Sequence, residues 1–192
     1  MASELITTYE AFNPETVSYG AAKINKRGGK SIKILDSKKN SLILSTPLIL
    51  TWGINKMVDE DSGRASYNLA IQYPSENYGT DATREFYSKM RDLEDKILDD
   101  AVKHSKEWFN KPKLSDAQVD VLFNNMLYRP KDKDTGELRE DASPSLRVKI
   151  DCYDGDFKCE IYDMKENSLY PNADSNVSPI DLITKGSNVA CI

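Results

Sequence analysis

Between residues 17 and 50 the chain alternates short apolar runs with turn chemistry: VSYGAAKINK, RGGK, SIKIL, DSKKN, SLIL, a break at Pro47, then LILTW. This text predicts a meander of short strands. Ser31, Ile32, Lys33 and Ile34 alternate strictly, so Ile32 and Ile34 face one way and Lys33 the other. Gly28 and Gly29 offer the positive φ angles of a tight hairpin. After the acidic turn VDEDSGR, residues 65–73 alternate again, with Tyr67, Leu69, Ile71 and Tyr73 on the side expected to be core.

The period then lengthens. Phe86, Met90, Leu93, Ile97, Ala101, His104 and Trp108 form a stripe at helical spacing, which predicts one helix of about seven turns opened by Asp81 as N-cap. On its outer face Glu85 and Lys89, Asp92 and Lys96, and Asp99 and Lys103 each set an acid four residues before a base, a solvated pattern. Asn110 to Pro112 ends it, and Ser115 is placed to cap a shorter helix. The charged stretch RPKDKDTGELREDASP predicts an exposed loop. Beyond it, Leu146, Val148 and Ile150, then Phe157, Cys159 and Ile161, alternate with polar residues around the turn Tyr153-Asp154-Gly155-Asp156, which predicts a hairpin. The last five residues read as the opening of another strand, so the chain is expected to have been cut from a longer one. Strands, a long helix and strands again give an α+β fold, an antiparallel OB-like β-barrel or curved sheet with one long inserted helix, in a single domain over 1–192.

Composition narrows the functional classes. No run approaches the roughly 18 apolar residues that span a bilayer, and the N-terminus lacks a signal-peptide layout, so a membrane partner is not expected and the address is intracellular. Cys152, Cys159 and Cys191, with His104 as the sole histidine, offer no zinc spacing and read as reduced thiols. No catalytic residues, metal or cofactor are expected. His104 lies on the apolar stripe and reads as a core histidine. The RGGK turn lacks the phosphate-loop frame, and the DEDSG and DKDTGE runs lack the closing Glu of a calcium loop.

Charge is more informative. The whole chain carries −5, but eight basic against four acidic residues up to Met57 give that part +4, against −9 for the remainder. A local field, not the average, governs binding of a polyanion. Lys23, Lys26, Arg27, Lys30 and Lys33 fall within eleven residues on one hairpin, Arg147 and Lys149 alternate outward on a later strand, and Tyr19, Trp52 and Tyr153 are aromatics near them. Cations interleaved with aromatics are the composition of sequence-tolerant single-strand binding, with phosphates held by charge and bases by stacking. A lysine-rich edge also serves to keep strands soluble and unpaired.

KINKRGGKSIKIL at residues 23–35, then LILSTPLILTWG, FYSKMRDLEDKILDDAV, SLRVKIDCYDG and SPIDLITKGS, in this order, resemble the single-stranded DNA-binding proteins of nucleocytoplasmic large DNA viruses. The similarity runs along nearly the whole chain. It implies an OB-fold core, non-enzymatic coating of single-stranded DNA during viral genome replication, and a place in the host cytoplasm or nucleus at replication sites or in the virion. It implies contact with replication proteins such as a polymerase or helicase, leaves homo-oligomers open, and implies a further strand pair rich in Gly and aromatics beyond residue 192. The competing expectation is a structural or scaffolding protein of the virion or replication centre, whose sheet and acidic remainder serve protein contacts.

Overall fold

The structure is a computed structural model describing residues 5–26, 28–75, 78–139, 142–174 and 176–192. It is a mixed α+β chain with four helices and several antiparallel sheets among these residues. The chain divides into two compact units, one from Met1–Pro47, Thr80–Met126 and Ala190–Ile192, the other from Leu48–Gly79 and Leu127–Val189.

The first unit holds short strands β1 (Ser18–Tyr19), β2 (Lys23–Ile24), β3 (Lys30–Ser31) and β4 (Ile34–Leu35), with helices α1 (Asp81–Lys103), α2 (Ser105–Phe109) and α3 (Asp116–Leu122). β1 pairs with β4 and β2 with β3, each pair antiparallel and separate. Residues 31–35 therefore do not form one strand of a larger sheet, as their alternation predicted; two-residue ladders replace it. Only Gly28 of the hairpin glycines has positive φ, at 81°. At Gly29 a Cβ would lie 2.7 Å from the Asn25 amide nitrogen, so that side chain, whose oxygen accepts from the Gly29 N–H at 2.8 Å, would have to shift.

Thr80, not Asp81, caps α1: its hydroxyl accepts from the Thr83 N–H while the Thr83 hydroxyl accepts from the Thr80 N–H. Phe86, Met90, Leu93 and Ala101 are buried as the stripe predicted. The stripe does not continue unbroken to Trp108. At His104 the helix turns, because the Ser105 hydroxyl donates back to the Val102 carbonyl at 2.5 Å and accepts from the Leu114 N–H at 3.0 Å. His104 is exposed instead of being a core residue, and its ring stacks on Trp108 at 5.2 Å. Ser115 caps α3 as predicted, and Val119 packs with Ala101 and Leu114.

The second unit is built on β5 (Ile49–Val58), β6 (Ala65–Gln72), β7 (Leu127–Tyr128), β8 (Ser145–Ile150) and β13 (Asn188–Val189), in the order β13-β5-β6-β8-β7. Around it lie β9 (Cys152–Tyr153) with β10 (Asp156–Phe157), β11 (Ile161–Tyr162) with β12 (Ser168–Tyr170), and helix α4 (Pro179–Leu182). The β9–β10 hairpin is shorter than the alternation through Ile161 predicted, and it turns on Asp154 and Gly155, both at positive φ. Among the described residues no closed barrel forms.

The sheet has two unlike faces because side chains alternate along each strand. Thr51, Ile54, Leu69, Ile71 and Leu127 are buried on one face. A bulge at Trp52 and Gly53 keeps that alternation in register: three steps of β5, from Thr51 to Ile54, oppose two steps of β6, from Ile71 to Leu69. Gly53 sits at φ 83°, and a Cβ there would lie 3.1 Å from the Ile183 carbonyl oxygen and 3.2 Å from the Lys185 nitrogen. Gly53→Ala is therefore expected to cost about 1–3 kcal/mol through strain and displacement of 183–185. A lowered urea midpoint measures it, and an unchanged one would contradict the bulge's role.

Candidate nucleic-acid interface

The residues singled out by sequence fall into two groups, one on each unit. On the first unit, Lys23 and Lys26 are exposed on the β2–β3 hairpin, and Arg27 lies outside the described residues. The Lys30 ammonium donates to the Glu107 carbonyl at 2.5 Å and to Asn110 Oδ1 at 3.1 Å, where Asn110 in left-handed conformation ends α2. This is a cation satisfying the carbonyl end of a helix, a commitment a phosphate would have to displace. Lys33 donates to the Ser41 hydroxyl at 3.3 Å. Tyr19 gives its hydroxyl to Asp100 at 3.0 Å and sets its ring against Trp108 at 4.7 Å, contacts that compete with stacking on a base. Burial first, and then the bond to Asp100, raise the Tyr19 pKa.

Asp100 is the electrostatic centre of this unit. Lys96 and Lys103 both donate to it at 2.9 Å, in place of the predicted pairs with Asp92 and Asp99, while the predicted Glu85–Lys89 pair forms at 2.7 Å. Burial pushes the Asp100 pKa up, but the bonds from Lys96, Lys103 and Tyr19 outweigh it and hold it at about 2. The Tyr19, Asp100, His104 and Trp108 side chains line a shallow groove of about 320 Å³, in which Tyr19 is paired with Asp100 and His104 with Glu107.

On the second unit the cations and aromatics share a surface. Register puts Asn68 opposite Lys149, Ala70 opposite Arg147, Gln72 opposite Ser145, and Ser145 opposite Tyr128, all on the face away from Leu69 and Ile71. Trp52 joins this face through the bulge: its indole N–H donates to Gln72 Oε1 at 2.7 Å. Lys185 holds its ammonium 4.7 Å from the Trp52 ring centroid, and the Arg147 guanidinium lies 4.1 Å from that of Tyr128. Trp52 is 44% exposed and Tyr128 42%. Lys149 pairs with Asp151 at 2.6 Å, a hydrogen bond that raises its pKa. Tyr153, at the tip of the β9–β10 hairpin, is exposed and borders, with Arg64 and Tyr67, a second groove of about 320 Å³.

Arg147, Lys149 and Trp52 are thus gathered on one face, and the structure adds Tyr128 and Lys185, which the sequence reading missed. Tyr128 stands among turn residues before a charged loop, so only its pairing with β8 reveals it; Lys185 carried no signal beyond the SPIDLITKGS string. The three cysteines are free thiols; burial raises the Cys191 and Cys159 pKa values. Among the described residues no three His, Cys, Asp or Glu side chains come together to hold a metal ion, and no helix is long and apolar enough to cross a membrane. No family model, curated protein or solved structure matches the chain.

Proposed function

We propose that the protein binds single-stranded DNA without catalysing a reaction, holding phosphates by charge and bases by stacking on the outer face of the β13-β5-β6-β8-β7 sheet. The observation that carries this reading is the pairing of a cation with an exposed aromatic twice on one polar face, Lys185 with Trp52 and Arg147 with Tyr128. Phosphate attraction and sequence-tolerant stacking need those two groups side by side. The resemblance noted in the sequence supports the same reading, with a role in viral genome replication and contact with a polymerase or helicase as its biological setting. The OB-type barrel is likewise a proposal, resting on that resemblance and on the open antiparallel sheet.

Titration of labelled oligo-dT at two salt concentrations tests the reading. Binding should weaken steeply with salt, by about 0.7 in log affinity per decade for each phosphate contact. Absence of binding at low salt would reject it. The scaffolding alternative is favoured by one observation, the exposure of Val121 and Leu122 side by side on α3.

A further inference from the structure

The outer sheet face also has a direction. We propose that the single strand crosses it at right angles to β5, β6, β8 and β7, along the line Trp52, Gln72, Ser145, Tyr128, and that Tyr128 is a second base platform paired with Trp52. This rests on the nucleic-acid reading above and adds to it the path, the footprint and a residue.

The four positions connect without a gap. Trp52 donates to Gln72, Gln72 is the strand partner of Ser145, and Ser145 is the strand partner of Tyr128. Gln72 has its amide nitrogen fixed by the carbonyls of Tyr73, Ser143 and Pro144 at 2.9 to 3.0 Å, so its oxygen is aimed at the indole before any ligand arrives. The Trp52 ring is therefore pre-oriented, and little side-chain freedom remains to be lost on stacking. On the line between the two rings the register places Gln72 and Ser145, with Ala70 beside them and Arg147 lying over the Tyr128 ring, so the middle of the path carries flat or small side chains.

Spacing sets the footprint. Neighbouring strands lie about 4.7–4.9 Å apart, so the three steps from β5 to β7 separate the two platforms by about 14 Å. A single strand with bases stacked at about 3.4 Å covers that distance in about four steps, hence about five nucleotides, and an extended one in fewer. Each ring now carries a cation at the place where a base would stack, and both cations stand on long flexible side chains. Exchange of Lys185 and Arg147 from ring to phosphate, as the base takes the ring, keeps every group in contact with an attractive partner.

The test is an oligo-dT length series on the wild type, Trp52→Ala, Tyr128→Leu and Tyr128→Phe, with circular dichroism and melting curves to establish that each variant is folded. Wild-type affinity should climb until the oligomer spans both rings, at about five nucleotides, and more gently afterwards. Trp52→Ala and Tyr128→Leu should each lower affinity for longer oligomers about 5- to 100-fold and abolish the step at that length. Tyr128→Phe keeps the π-face and should bind like the wild type. A folded Tyr128→Leu variant with unchanged affinity and an unchanged length step would overturn the path while leaving binding at Trp52 standing. Failure of the wild type to bind any oligomer would overturn the reading on which the path rests.

Discussion

Replacing Arg147, Lys149 and Lys185 together by Ala is expected to weaken oligo-dT binding about a hundredfold at about 0.1 M salt. Each phosphate contact to a single strand contributes about 0.7 to the slope of log affinity against log salt. Three contacts give a slope of roughly 2, and one decade below about 1 M, where the counterion term vanishes, that slope is worth about two decades of affinity. The Lys149 pair with Asp151 does not reduce this by much, because an exposed ion pair contributes only about 0–1 kcal/mol to be given up. The fold should survive: Arg147, Lys149 and Lys185 are exposed, and losing a cation from an exposed ring costs about 0.5–1 kcal/mol. Anisotropy titrations across a salt series measure it, with a melting curve as control. A folded variant with the wild-type slope would remove these residues from the interface.

Asp100→Ala should lower stability by about 2–4 kcal/mol, or Tm by roughly 5–15 °C for a chain of this length. Its carboxylate is buried and receives Lys96, Lys103 and the Tyr19 hydroxyl together. Without it, Lys103 returns to water, but Lys96, whose side chain is only 18% exposed, and Tyr19 are left short of a partner. The same group sets an acid limit. Its pKa falls from 3.8 to about 2 on folding, so its contribution of about 2 kcal/mol is fully present above pH 3.8 and is lost as pH falls through about 2. Wild type and variant should therefore converge in stability toward pH 2 and differ fully at pH 5 and above. A constant difference across that range would contradict the assignment.

What the sequence could show depended on whether the determining contact is local. β6 was legible because Leu69, Ile71 and Tyr73 alternate with polar residues on a strand with one buried face. β5 was legible only as far as Trp52, since the bulge at Gly53 interrupts its alternation and Met57 and Val58 beyond it are exposed. α1 followed from its apolar stripe, yet its end at His104 depends on Ser105 meeting Leu114, nine residues away. Asp100 gathering two lysines could not be read from i,i+4 spacing, because Asp99 offers Lys103 an equal claim and burial decides between them. Tyr128 and Lys185 reach the proposed interface through strand pairing and the Trp52 contact, both nonlocal.

Ultraviolet cross-linking of the wild-type protein to oligo-dT, followed by mass spectrometry of the linked peptides, tests the location of the interface most directly. Linked peptides should contain Trp52 and Tyr128, and excess unlabelled oligo-dT should suppress both together. Cross-links confined to the hairpin at residues 23–31, or to peptides carrying neither aromatic, would contradict the sheet face as the place where the strand is held.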